Sequence, residues 1–323
     1  MNIVYIIGNG FDKAQGLKTS YPEFYEYLDK QEGSALLQNL KSDIKKDIKL
    51  WADMEEAFGK FTSKIDTEED FQNLYFELSD CLQEYLKLED NKFIPSEELK
   101  KKFCDDFLSF GRYLGELDRV RYNQFINGRN VADVNVIVLN YTNTLEKLLS
   151  INPQKSNVEK NFNSNQILHN VIHVHGGLDD AIIIGVDNEK QIAKENFRTN
   201  ENIKDLLVKI QSNHAMKFLK HEHCENFIRD ANLIILYGTS LGNTDIRWWN
   251  LIGRELKRRN NLAIIQHLYH PNAIKPTRRQ LLAQIERNHQ NELMQKMGIK
   301  QNEFSQELTN RLFFTVNSNI FKK

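Results

Sequence analysis

The chain predicts an α/β fold in which a doubly wound, parallel sheet carries a large all-helical insert. Five short apolar runs, residues 3–7, 134–139, 171–174, 233–237 and 262–265, lack polar alternation, as strands buried on both faces do. Between the first two runs, from Ser20 to about residue 130, nearly every segment instead carries helical periodicity. One α/β domain over residues 1–323 is expected, with 20–130 as an insert within it.

The first run, Ile3-Val-Tyr-Ile-Ile7, stops at Gly8-Asn-Gly10, a turn that lets backbone approach a ligand and point its amides at phosphate. A G-x-G-x-x-G dinucleotide motif would need glycine where Lys13 stands. A phosphate loop of the NTPase kind is excluded too, because five residues separate Gly10 from Gly16 and Leu17 precedes Lys18. Asp12 follows the turn directly and is expected beside a ligand cleft, with a turn-stabilising role as the alternative. Ser20-Tyr-Pro-Glu23 has the form of a capping box and predicts a helix start.

Within the insert, Phe71, Leu74, Tyr75, Leu78, Leu82, Tyr85 and Leu86 trace one apolar helix face. Glu89–Pro95 reads as a turn, and Phe103, Phe107, Phe110 and Leu114 repeat the pattern in a second helix. Trp51-Ala-Asp-Met-Glu-Glu56 sets a tryptophan beside three carboxylates that could line a site, but reads rather as an amphipathic helix with a solvated acidic face.

The second run ends at Asn140-Tyr-Thr142, polar residues at the carboxyl end of a parallel strand, where open α/β sheets bind ligands. Capping of the next helix by Asn140 or Thr142 is the competing reading. Residues 153–168 are polar and asparagine-rich and predict a surface loop. His169, His173 and His175 stand at even spacings, but no carboxylate or cysteine matches them, and no metal site is expected. His175 differs in preceding Gly176 and Gly177 at a strand end. His221-Glu-His-Cys224 is the other metal candidate, but inside a long helical run it reads as a solvated helical face. Leu233–Tyr237 closes on Gly238-Thr-Ser240 and runs to Asp245, with Asn243 or Thr244 as a helix cap. Leu262–Ile265 reads as the last inner strand, and Pro276 to about Lys296 as a basic amphipathic helix packed on the surface.

Basic and acidic residues number 43 and 44, so no global field favours nucleic acid or an anionic membrane. Three cysteines without a C-x-x-C pair exclude a disulfide framework and a four-cysteine zinc site. The first seven residues are too short to span a bilayer, and a cytoplasmic protein is expected. A homo-oligomer is left open.

Taken together, Ile7-Gly-Asn-Gly-Phe-Asp12, Gly16–Tyr21 with Phe24, Leu139-Asn-Tyr-Thr142, His175-Gly176 and Ser240-Leu-Gly242 with Asp245 resemble the signature of the AbiH family of bacterial abortive-infection proteins. The motifs agree in order along nearly the whole chain. A more distant resemblance, to sirtuins, implies a sirtuin-like Rossmann-type core around NAD. It sets Asn140 in the place of the essential asparagine, His175 in that of the catalytic histidine and Gly238-Thr-Ser240 in that of the ribose-contacting turn. Thr142 stands where sirtuins have aspartate, and the sirtuin zinc ribbon is missing, which argues against protein deacetylation.

The resemblances imply an anti-phage NAD hydrolase with Asn140 and His175 as catalytic residues. The implied nucleotide contacts are Gly8, Asn9, Gly10, Phe11, Asp12, Thr19, Tyr21, Thr142, Gly238, Thr239, Ser240 and Asp245. NAD is substrate, and no bound cofactor is implied. Cleavage passes through an oxocarbenium-like state and releases a neutral leaving group, so placement of water and ribose matters more than a strong acid. Asn140 supplies a donor and an acceptor, and His175 a base near neutrality. Two alternatives compete: a nucleotide-binding sensor without turnover, and an interaction or nucleic-acid module that works through the insert.

Overall fold

The computed structural model describes residues 1–129, 131–270 and 276–322. Asn130, the expected end of the insert, lies outside them. Seven strands form one sheet: β1 (Asn2–Ile7), β2 (Ala132–Val138), β3 (Asn157–Asn163), β4 (Gln166–His173), β5 (Leu233–Tyr237), β6 (Ala263–Leu268) and β7 (Leu312–Val316). Their order is β3-β4-β2-β1-β5-β6-β7, and every pairing is parallel except the β3–β4 hairpin. Setting β3 aside, the chain runs outward from β1 through β2 to β4, then restarts at β5 beside β1 and runs outward the other way. That is the doubly wound order, with its switch point between β1 and β5.

The pairing register brings the strand ends into line. Ile7 pairs with Val138 on one side and Tyr237 on the other, Val138 pairs with His173, and Tyr237 with His267. Five strands therefore end level, and the turns after them share one edge of the sheet.

Helices follow from the apolar periodicity. After α1 (Gly10–Ala14), the insert contains α2 (Tyr21–Leu28), α3 (Ala35–Lys46), α4 (Met54–Phe61), α5 (Glu68–Asn91), α6 (Glu97–Phe107) and α7 (Glu116–Ile126). The expected capping box starts α2, with Ser20 N and Oγ both bonded to Glu23 Oε2, at 3.0 and 2.6 Å. The predicted face of α5 is buried along its length. α6 stops at Phe107, so Phe110 and Leu114 lie in the turns beyond it. Between β2 and β3 lies α8 (Thr144–Leu149). Between β4 and β5 lie α9 (Glu195–Arg198), α10 (Glu201–Leu207), α11 (Lys209–Ala215) and α12 (Lys220–Asp230). α13 (Ile246–Arg258), α14 (Leu281–Lys296) and α15 (Gln306–Thr309) complete the chain. No helix among the described residues is long and apolar enough to cross a membrane.

The insert divides in its packing. α6 and α7 cover one sheet face, where Phe103, Phe107 and Tyr122 join Tyr5, Val136 and Phe313. Phe321, near the end of the chain, packs there too, its ring 5.8 Å from Phe11 and 4.8 Å from Phe103. α12, α13 and α14 cover the opposite face through Cys224, Trp248 and Leu293. α2 to α5 instead build a separate core with Tyr141, Leu178 and the segment 182–208.

One expectation is corrected: residues 153–168 are not a plain loop, since Val158, Lys160 and Phe162 alternate half-buried along β3, a period-two signal inside polar sequence. β6 is the last inner strand, as expected, and β7, Leu-Phe-Phe-Thr-Val, pairs with it as the edge strand beyond.

At the switch point backbone packs on backbone. A Cβ on Gly8 would lie 2.6 Å from Gly238 O, one on Gly10 2.5 Å from Gly238 Cα, and one on Gly238 2.5 Å from Phe11 N. Gly238 also has φ +67, a left-handed conformation that favours glycine. Gly238→Ala is expected to lower unfolding stability by about 1–3 kcal/mol in urea titrations, the scale of an unrelieved overpacking clash. Gly177→Ala, whose Cβ would meet nothing closer than 3.5 Å, should stay near the parent.

Candidate functional site

Two polar centres sit at the level strand ends. The first is built on Asp12, fully buried at the start of α1. Asn140 Nδ2 donates to Asp12 Oδ1 at 2.9 Å and Thr142 Oγ1 to Asp12 Oδ2 at 2.7 Å. Thr144 donates in turn to Thr142 Oγ1 at 3.1 Å. The capping reading of Asn140 and Thr142 therefore falls: Asn143 is the N-cap of α8, and both side chains turn to Asp12. Burial pushes the Asp12 carboxyl up to about 6, against the hydrogen bonds from Thr142, Asn140 and Thr144. Asn140 has spent its amide nitrogen, and its Oδ1 is buried with no partner among the described residues. The side chain thus offers an acceptor alone, not the donor and acceptor expected from its type.

The second centre is a buried chain of charges. Lys209 Nζ stands 2.8 Å from Glu55 Oε2 and 2.8 Å from Asp245 Oδ1, and donates to Thr244 O at 2.9 Å. His175 Nε2 lies 3.2 Å from the same Asp245 oxygen but without hydrogen-bond geometry, so this nitrogen too is unsatisfied. Burial opposes the charge on both partners, yet Lys209 and His175 hold the Asp245 carboxyl well below its usual range. Asp245 and Glu55 likewise hold the Lys209 ammonium above its own, against burial.

The tripeptide at the end of β2 joins the centres. Asn140 and Thr142 point to Asp12, while Tyr141 between them reaches Glu55 Oε1 at 3.3 Å and donates to Ile183 O at 3.1 Å. His173 braces the turn from behind, with Nδ1 donating to Asn140 O at 2.9 Å and Nε2 2.8 Å from Glu146 Oε1. Its burial disfavours the charged ring, but Glu146 outweighs that and raises its pKa.

The other expected contacts scatter. Asn9 and Thr19 clamp each other, with Asn9 Nδ2 donating to Thr19 O at 2.8 Å and Thr19 Oγ1 to Asn9 Oδ1. Tyr21 is half-buried on the insert's core, where burial and then Glu55 hold its phenol protonated. Thr239 is half-buried and Ser240 exposed on the rim, beside Leu241 at φ 53. Phe11 does not face a ligand: its ring lies in the core against Phe103, Tyr237 and Phe321. The glycine turn is not an open cradle of amides either. Gly8 N, Gly10 N and Phe11 N donate to Tyr237 O, Gly238 O and Gly8 O, each at 2.9 Å.

Two sequence readings are overturned. Trp51 to Glu56 is not a solvated acidic face: Trp51, Met54 and Glu55 are buried, and Glu55 joins the second centre. His221 and Cys224 are buried as well. The His221 ring stacks on Trp248 at 5.1 Å and lies 6.5 Å from His175. Burial, then the neighbouring His175, Lys209 and Arg247, push its pKa down to about 3, and both its nitrogens are unpartnered. The evenly spaced histidines go to separate partners, His169 to Glu159 and Asp133, His173 to Glu146 and His175 to Asp245. Lys209 gave no signal in the sequence.

Asp12 sets a testable pH dependence. Its folded pKa, about 6, is raised above the ordinary 3.8, so the stability its protonated form supplies is full below 3.8 and lost as pH rises through about 6. Asp12→Asn should remove this dependence. Between pH 3.5 and 7.5 the stability difference, parent minus variant, should fall by on the order of 3 kcal/mol; a flat difference would show that Asp12 titrates normally.

No curated protein matches the chain. A family model described as bacteriophage abortive infection AbiH matches residues 4–267, from within β1 to within β6. The matched span contains Asp12, Asn140, His175, Lys209 and Asp245, and so both polar centres. The chain belongs to the AbiH family of bacteriophage abortive-infection proteins.

Proposed function

We propose that this chain acts in abortive infection as a sirtuin-like NAD glycohydrolase that depletes NAD when phage infects. One observation carries the reading. Asn140, at one of the two strand ends this chemistry needs, keeps a buried oxygen, Oδ1, with no hydrogen-bond partner among the described residues, and His175, at the other, sets Nε2 3.2 Å from Asp245 Oδ1. Leaving Asn140 Oδ1 unpaired costs about 1–3 kcal/mol, which a ribose hydroxyl or a water would relieve.

The roles follow from what each side chain has left to offer. Asp12 fixes the amide nitrogen of Asn140 and so aims Oδ1, which accepts a hydrogen bond from a ribose hydroxyl or the attacking water. Water adds to the ribose C1′ as the bond from C1′ to nicotinamide breaks. The electron pair leaves with the ring nitrogen, cationic in NAD, and nicotinamide departs neutral. His175 takes the proton of the water, and Asp245, held ionised by Lys209, stabilises the imidazolium that forms. Glu55 brings the helical insert into this arrangement through Lys209.

A second reading has its own support. Thr142, which stands where sirtuins have aspartate, gives its hydroxyl to Asp12 at 2.7 Å, which suits a sensor that binds a nucleotide without turnover.

Purified protein incubated with NAD and followed chromatographically for nicotinamide separates the two. The hydrolase releases nicotinamide, and His175→Ala slows release by about 10²–10⁴-fold while NAD binding persists. Asn140→Ala should also slow release, with Asp12 left holding an unmatched carboxylate. Intact NAD with ligand-dependent thermal stabilisation would establish the sensor instead. Neither release nor stabilisation would sink both.

A further inference from the structure

A cavity of 540 Å³ opens on the far side of the segment that follows His175. Its walls are one face of α5, residues of α10 and α11, and residues 181–183. Tyr75, Phe76, Ile182 and Met216 give it an apolar body. Asp80 and Asp205 add two carboxylates, and no lysine or arginine lines it among the described residues. Neither aspartate makes a hydrogen bond or an ion pair among the described residues. Its volume falls within the range of small-molecule sites; its lining mixes the apolar side chains with Gln72, Ser79, Asn202 and Ser212, and Phe76 and Asp80 stand exposed at its mouth.

The wall it shares with the polar centres is short and directly bonded to them. Ile183 N donates to His175 O at 2.9 Å, Tyr141 OH donates to Ile183 O at 3.1 Å, and Ile184 N donates to Tyr75 OH at 3.3 Å. Ile182 and Ile183 therefore line the cavity while the backbone around them holds His175 and Tyr141. The turn has little slack, because Gly176 at φ +80 would place a Cβ 1.7 Å from Ala181 O. A molecule that presses on residues 181–183 displaces or steadies the His175 turn as a unit.

We propose that this cavity is a binding site for a small organic cation with an apolar body, and that its occupancy is transmitted to His175 through residues 181–184. The apolar part fills the space beside Phe76 and Ile182, and the cationic group meets Asp80 and Asp205. Binding itself does not depend on the NAD reading. Only the consequence of moving His175 rests on it.

The test uses the full chain and phenethylamine as probe, with 2-phenylethanol as its neutral counterpart, followed by calorimetric titration. Phenethylamine should bind saturably and about tenfold tighter than the alcohol, the scale expected of one or two partly exposed ion pairs. The double substitution Asp80→Asn and Asp205→Asn should bring the amine down to the affinity of the alcohol and leave the alcohol unchanged. Ala215→Trp, at an exposed helix position on the cavity wall, should abolish binding of both. Hydrogen exchange should show the Ile183 and Ile184 amides slowed by the amine in the parent and unaffected in Ala215→Trp. No binding, equal binding of amine and alcohol, or binding that survives Ala215→Trp overturns the site. Binding that leaves exchange at Ile183 unchanged overturns the transmission. None of these readouts uses NAD, so a failure of hydrolysis would be seen separately.

Discussion

The contact of the Gly8–Gly10 turn with Gly238 is the constraint from which the rest of the molecule is arranged. Two backbones meet at the switch point with no side chain between them, and Gly10 N bonds Gly238 O at 2.9 Å. Helix α1 can then begin at once, its first turn sending Phe11 into the core and Asp12 toward β2. A larger residue at either turn would lift α1 away from the sheet and break the link between Asp12 and Asn140. The crevice that other doubly wound proteins give to a ligand is thus partly closed here, and the polar groups gather from the turns after β1, β2, β4 and β5, with Glu55 and Lys209 added from helices.

The buried lysine explains why the insert is needed. Lys209 would be an isolated buried cation without the two carboxylates beside it, and one of them, Glu55, comes from α4. A buried charge stripped of its partner is strongly destabilising, whereas the complete group holds its geometry through mutual attraction and hydrogen bonds. Helices α2 to α5 and the polar centre therefore form together. The separate apolar core that joins α2–α5 to Tyr141 and Leu178 serves to hold one carboxylate against one lysine.

Sequence alone was enough for the sheet's inner strands and their polar ends, because a run such as Leu233–Tyr237 is buried on both faces and carries no competing period. The same rule missed β7, whose Leu-Phe-Phe-Thr-Val is short and ends in a polar stretch, and β3, whose half-buried residues sit among asparagines and a lysine. Asn140, His175 and Asp12 could be found because each ends a strand or follows one. Glu55 and His221 stand in segments that could hold a site but read as solvated faces, and Lys209 gives no signal at all. All three lie on helices, where a charged or polar residue on an amphipathic segment is ordinarily solvated, and only tertiary packing turns them inward. Phe11 was misassigned for the opposite reason: its neighbours face the polar edge, but the tight first turn of α1 rotates its ring beneath the sheet.

Phe321 extends the folding unit beyond the reach of family similarity. The match ends at residue 267, yet this ring, more than fifty positions later, packs on Phe11, Phe103 and Tyr237, and its carbonyl accepts from Gln15. β7 meanwhile covers the edge of β6 that would otherwise face water. The region over which relatives are recognisable is therefore smaller than the unit that folds. The ring that fills the hollow beside Phe11, and so steadies the first turn of α1 that carries Asp12, is supplied from outside the matched span.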